Sequence, residues 1–308
     1  MKALLQDRYG SPETLRWAEV PDPVPGAGEV LVRVRAGAFN FADRVDLLGE
    51  PLVARLAFGV RRPRVPTPGR AFAGTIVDTG EDVLAEVPKR GWAELIAVPR
   101  KALAVKPAEI SFEQAATIPL AGTTALQALR RAGLDRVRGG RVLVNGASGA
   151  VGSFAVQLVA RRYHGRVTGV CSARNVSLVR SLGAEQVVDY TSEDLAAHSG
   201  RYDAVVDLAG SHSLATMRRL LAPGGVYIAS FGTGGRVLGP LLRFAGVLAG
   251  GSRLRLLTAR PDAVDLAEVA ALVADGTLTP PTARAFPISG ALIEKLSRLA
   301  RGGPVSTG

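Results

Sequence analysis

The chain has 308 residues, with 38 Lys and Arg against 27 Asp and Glu, a formal net charge of +11. At roughly 150 residues per domain that length suggests about two domains, and 47% hydrophobic with 21% charged residues excludes a disordered chain. The single cysteine, Cys171, excludes a disulfide framework and a cysteine-built structural zinc site, and a reducing, cytoplasmic compartment is expected.

The opening MKALLQDRYG lacks the apolar core of a secretory signal. Residues 237–250, VLGPLLRFAGVLAG, fall short of the roughly 20 apolar residues of a membrane span, and Pro240 and Arg243 interrupt them. A buried or lid-forming helix is expected there instead. The positive excess is mostly scattered arginine, which favours polyanions in general. No aromatic–basic interleaving accompanies it, so specific nucleic-acid binding is not expected.

Before residue 110, alternating runs such as GEVLVRVRAG (28–37) and WAELIAV (92–98) sit between Pro/Gly-rich breaks such as VPDPVPGAG (20–28). That is the pattern of an antiparallel β domain. A helix opens at the capping box Ser111-Phe-Glu-Gln114. From residue 141 strands and helices alternate: RVLVN, a helix over about 149–163, RVTGV and a helix over about 176–182, then QVVDY, YDAVVDLAG, a helix to Leu221 and VYIAS. Such alternation predicts a parallel sheet with helices on both faces. A last helix, near 292–300 beyond Pro280-Pro281, returns to the first domain. The expected domains are 1–112 with 274–308, and 113–273.

The segment VLVNGASGAVG (142–152) runs an apolar strand into a glycine loop, and the loop opens an apolar helix, SFAVQLV. It reads A-x-G-x-x-G, a variant of the dinucleotide fingerprint with Ala147 in the first glycine position. Gly149 lets backbone approach a pyrophosphate, and Gly152 lets the helix pack closely on the strand. The helix N-terminus offers N–H donors and a favourable dipole to phosphates. Ala147, Ser148, Gly149, Ala150, Val151 and Gly152 are therefore candidate cofactor-binding residues. An NAD site expects Asp or Glu about 20 residues past the loop. Here that place reads VCSARN, and no carboxylate occurs between Gly152 and Glu185. Ser172 and Arg174 suit a 2′-phosphate, Arg174 through a charge-assisted fork, so NADPH is the expected cofactor. A methyltransferase would also want an acid at that place. No tyrosine stands in a Tyr-x-x-x-Lys motif, and Ser148 is not in a G-x-S-x-G elbow.

With these residues in view, the chain resembles the medium-chain dehydrogenase/reductase superfamily, in its zinc-independent quinone oxidoreductase and enoyl reductase branch. PVPGAGEVLVRVRAGAFN is similar to that family's opening strand pair, PGRAFAGTIV to its second β motif and SFEQAATIPLAGTTALQAL to its linker helices. VLVNGASGAVG, VTGVCSARNVSLVRSLGA and YDAVVDLAG resemble its nucleotide half, and LTPPTARAFPIS its return to the catalytic domain. The resemblance implies an α/β fold: a Rossmann doubly wound parallel sheet plus a GroES-like β-rich catalytic domain, pared down here. It also implies substrate in the cleft between the domains and homodimers through the cofactor domains.

Zinc-dependent relatives carry a cysteine where this chain has Ala38-Phe39-Asn40, so no metal is implied. The zinc-free branch shows Asn-x-x-Asp there, which Asn40 and Asp43 match. By resemblance both line the cleft as catalytic residues, Asn40 donating to the substrate oxygen and Asp43 orienting Asn40 or relaying a proton. Thr124, Phe231 and Gly232 match positions that contact the cofactor in the family. The implied reaction delivers hydride from NADPH to a small quinone or α,β-unsaturated carbonyl.

Four features depart from the family pattern. Ala71, not Asp, follows Arg70, and a Gly-Asp-x-Val segment is missing between Gly80 and Trp92. The tyrosine after the Asn-x-x-Asp helix is absent, and GGPVSTG replaces the closing strand. They keep open a second reading: a cofactor-binding or cleft-retaining homologue with a non-redox role, such as cyclisation in secondary metabolism.

Overall fold

The computed structural model describes residues 1–50, 52, 55–136, 139–198, 201–230, 246–247, 251 and 253–281. These divide into two units, Met1–Leu120 with Pro261–Ala270, and Ala121–Arg260 with Ala271–Pro281.

In the first unit, β1 (Lys2–Gln6) and β2 (Leu15–Glu19) pair antiparallel. The sequence reading had not singled out this pair. The alternating run at 28–37 becomes β3 (Glu29–Ala38), followed by β4 (Ala71–Ile76), β5 (Asp82–Glu86), β6 (Leu95–Pro99) and β7 (Ala104–Val105). They form an antiparallel sheet in the order β6-β3-β4-β5-β7. One side chain in two points inward, so Val32, Phe72, Ile76, Val83, Ile96 and Val98 meet in one core. Burying the Phe72 ring alone contributes about 1.5–3 kcal/mol. Two short helices, α1 (Phe41–Leu48) and α2 (Arg55–Phe58), follow β3.

Helix α3 (Phe112–Ala132) carries the chain into the second unit. Its expected capping box is formed: the Ser111 N–H donates to Gln114 Oε1 (2.9 Å) and the Gln114 N–H to Ser111 Oγ (3.2 Å). Where the sequence suggested linker helices, there is one helix with Pro119 inside it. Proline removes a helical hydrogen bond, but Ala115, Ala116, Ile118 and Ala121 around it are buried. That packing overrides the local preference.

The second unit contains β8 (Arg141–Asn145), β9 (Arg166–Cys171), β10 (Gln186–Asp189), β11 (Tyr202–Asp207), β12 (Leu221–Ala229) and β13 (Leu254–Leu256). All pair parallel, in the order β10-β9-β8-β11-β12-β13. This is the doubly wound order, reversing between β8 and β11. The strands read as continuous apolar runs because helices cover both faces of such sheets. Leu143, Val170, Val205, Met217, Leu220 and Tyr227 fill one core. The helices of this unit are α4 (Ala150–Gln157), α5 (Val176–Ser181) and α6 (Leu214–Leu220), while α7 (Ala263–Ala274) is divided between the two units at Ala270. The helix expected over 149–163 keeps α-helical bonding only to Gln157, and Leu158–Arg162 widens into a π turn. There the Gln157 side chain exchanges two 2.8 Å hydrogen bonds with the Thr279 backbone.

Phe231, Gly232, the 237–250 stretch apart from Gly246 and Val247, and the helix expected at 292–300 lie outside the described residues. No described helix is long and apolar enough to cross a membrane.

Candidate active site

The buried strand β8 delivers the chain to the glycine loop at the carboxyl edge of the parallel sheet, beside the point where strand order reverses. Doubly wound sheets bind ligands at that place. Gly146 adopts a φ of 88°, which glycine tolerates without strain. Ala147 is fully buried, Ser148 and Val151 are half-buried, and Gly149 and Ala150 are exposed, with Gly149 as the N-cap of α4. A Cβ at Gly152 would stand 2.1 Å from Gly146 O and 2.8 Å from Ala147 Cα. The helix therefore rests directly on the loop.

Asn175 joins that loop to the end of β9. Its Nδ2 donates to Ser148 Oγ (3.0 Å) and to Ser172 Oγ (3.3 Å), while Arg174 is exposed in the turn Ala173–Asn175. The sequence reading named both serines and the arginine but missed Asn175, for which adjacency to Arg174 was the available signal. It also missed Asp189, which ends the neighbouring strand β10. The Asp189 carboxylate accepts from the Thr191 N–H (3.0 Å) and Thr191 Oγ1 (2.7 Å), bonds that hold it below the usual carboxylate range, and the Ala173 N–H adds to the effect. A carboxylate thus reaches the edge near Ser172 from another strand. Thr124 is half-buried on α3 and, among the described residues, makes no hydrogen bond to the glycine loop.

Asn40 and Asp43 come together in the first unit. Asn40 N-caps α1, and its backbone N–H donates to Asp43 Oδ2 (2.8 Å). The Asn40 Nδ2 has a long 3.5 Å contact with Ala38 O. Asp43 is 1% exposed, and its Oδ1 has no hydrogen-bond partner among the described residues. Burial pushes its carboxyl up to about 7, although the Asn40 N–H and the charges of Arg70 and Lys89 pull the other way. One turn further along α1, the buried Asp46 places Oδ2 2.9 Å from Arg70 Nε and 2.5 Å from Lys89 Nζ. Both cations also lie over the Phe58 ring, at 5.7 and 5.6 Å. Arg70, which lacks the following aspartate of the family pattern, therefore takes its carboxylate from α1. Burial lifts Glu86 to about 7 as well, Arg70 opposing and Asp43 reinforcing the rise.

A doubly wound sheet with a glycine loop at its reversal point places the second unit in the dinucleotide-binding class of folds. The family described as zinc-binding dehydrogenase matches residues 182–292. The chain is 35% identical over 235 residues to the chloroplastic quinone-oxidoreductase QR1 of Triphysaria versicolor, covering 68% of each protein. It is 32% identical over 278 residues to the chloroplastic NADPH-dependent alkenal/one oxidoreductase of Arabidopsis thaliana, covering 83% of this chain and 68% of the relative. The structure of the quinone oxidoreductase from Coxiella burnetii superposes with a TM-score of 0.81 at 26% identity, covering 98% and 94% of the two chains. The protein belongs to the medium-chain dehydrogenase/reductase superfamily, in its quinone oxidoreductase branch, and is an oxidoreductase.

The matching family's description names zinc. Among the described residues no three His, Cys, Asp or Glu side chains gather. Cys171, the sole cysteine, is buried at the end of β9, where burial pushes its thiol up and away from the thiolate.

Proposed function

We propose that the protein is an NADPH-dependent, zinc-independent reductase that delivers hydride to a small quinone or α,β-unsaturated carbonyl. The observation that carries the reading is the glycine loop at the reversal point of the sheet, with Ser148, Ser172 and Asn175 hydrogen-bonded beside it. The names of the two plant relatives support the substrate class, and the second supports NADPH.

Bound NADPH would supply the hydride. Ala150 and Val151, in the first turn of α4, would present N–H groups to the pyrophosphate. Gly149, whose own N–H donates to Gly146 O (3.1 Å), would leave room for its approach, while Ala147 and Gly152 keep loop and helix in contact. Ser172 and Arg174 would take the 2′-phosphate, Arg174 through a charge-assisted pair, with Ser148 holding the loop through Asn175. By the family resemblance Thr124, Phe231 and Gly232 would complete the cofactor contacts. Asn40 donates to the carbonyl oxygen as charge gathers there, and Asp43 fixes Asn40 through its backbone N–H. In this reading residues 1–112 with 274–308 form the catalytic domain and 113–273 the cofactor domain. The protein works in the cytoplasm as a homodimer joined through the cofactor domains.

The test follows loss of NADPH absorbance against a panel of quinones and enones, with EDTA present and products weighed for two added hydrogens. Turnover of at least one acceptor is expected. Activity abolished by EDTA would overturn zinc independence. NADPH binding with no acceptor reduced across the panel would replace the redox reading by the non-redox one, which the missing segment after Gly80 favours.

A further inference from the structure

Asp207 ends β11 and is fully buried. A buried carboxylate is costly unless donors surround it, and here they do. Oδ1 accepts from Asn145 Nδ2 (2.8 Å) and the Gly210 N–H (2.9 Å), and Oδ2 accepts from the Tyr227 hydroxyl (2.8 Å). The donors belong to the end of β8, the turn after β11 and the body of β12. All three lie toward one edge of the sheet, the edge that carries the glycine loop.

Asn145 is the residue immediately before Gly146. Its carbonyl accepts the Leu208 N–H (3.0 Å), and a Cβ at Gly146 would lie only 3.5 Å from Ala209 N. The glycine loop and the turn at 208–210 therefore stand against one another, with the Asp207–Asn145 bond beneath both. Main-chain bonds alone would leave the rotation of these two loops to local turn geometry. A side-chain bond between strand ends, 62 residues apart in sequence, fixes it.

We propose that Asp207 is a positioning residue for the dinucleotide: its buried carboxylate, bonded to Asn145 and Gly210, sets the spacing between the glycine loop and the turn after β11. The inference rests on the cofactor reading above, and it assigns Asp207 and Asn145 no contact with the reacting atoms. Their loss should weaken cofactor binding while leaving the chemical step intact.

The experiment measures NADPH affinity by fluorescence titration, well below each variant's melting temperature, together with kcat at saturating NADPH. Asn145→Ala should weaken NADPH binding about tenfold, with kcat within twofold of wild type. Asp207→Ala should weaken it at least as much. Asp207→Asn keeps an acceptor oxygen for Asn145 and Gly210 and should restore affinity to within threefold of wild type. Should Asp207→Ala fail to fold, Asn145→Ala and Asp207→Asn carry the comparison. A merely structural role would lower the melting temperature without moving the affinity of the folded fraction, and that result overturns the proposal. So does Asn145→Ala that binds NADPH as wild type does. Wild type that binds no NADPH overturns the cofactor reading instead, and this inference with it.

Discussion

Each unit buries carboxylates, but the two satisfy them differently. In the second unit both oxygens of Asp207 accept hydrogen bonds, from donors mounted on strand ends and a turn. In the first, Asp43 and Asp46 lie one turn apart on α1, and each keeps Oδ1 without a hydrogen-bond partner among the described residues. Asp46 relies on the flexible cations Arg70 and Lys89, and Asp43 on one backbone N–H. The fully bonded carboxylate holds a geometry. The half-bonded Asp43 keeps a proton within reach of neutral pH, because burial has lifted its carboxyl to about 7.

The contrast breaks most readily at Arg70. Arg70→Met leaves the buried Asp46 with Lys89 alone, and losing one hydrogen bond to a charged group costs about 1.5–3 kcal/mol. Urea unfolding should show that loss, and a change below about 1 kcal/mol would mean that the cluster is effectively solvated. Next in size is Gly152→Ala. Its Cβ would press on Gly146 O and Ala147 Cα, backbone that cannot swing aside, so about 1–3 kcal/mol of stability should go. NADPH binding should fall with it; a variant that melts and binds like wild type would show that α4 can lift from the loop.

The pH response separates the units further. The folded protein holds protons on Asp43 and Glu86 up to about pH 7, where the unfolded chain has lost them from about pH 4 upward. The native state then binds more protons, so the stability these two groups contribute is fully present below about pH 4, falls as pH rises toward 7, and is lost above it. Glu113, Asp189 and Asp275, held low, act in the opposite sense but only below the ordinary carboxylate range. Urea midpoints taken between pH 5 and 7 should therefore fall with pH, and Asp43→Asn should flatten the slope. A flat wild-type profile would place water beside Asp43 and remove the contrast. The smallest effect concerns selectivity. Wild type should prefer NADPH over NADH at least tenfold, or about 1.4 kcal/mol, within the roughly 1.5–3 kcal/mol of a charge-assisted bond. Arg174→Ala should erase most of that preference in paired titrations; an unchanged ratio would shift the role to Ser172 and Asn175.

Much of this was legible in the chain before folding. Alternating strands and helices after residue 141 predicted the parallel sheet, Ser111 and Gln114 announced the start of α3, and the 142–152 segment marked its own loop and helix. These signals are local, since side-chain period, cap chemistry and turn geometry act within a few residues. The tertiary structure alone decided the rest. Placing β8 beside β11 set Asn145 against Asp207, and placing β10 beside β9 brought Asp189 to the Ala173 N–H. Bringing the start of β4 and the chain beyond β5 to α1 gave Asp46 its two cations. Packing around α3 carried Pro119 through a helix that its own preference would have ended. Strand order and burial join residues tens of positions apart, and no short window of sequence encodes which distant donor will meet a given carboxylate.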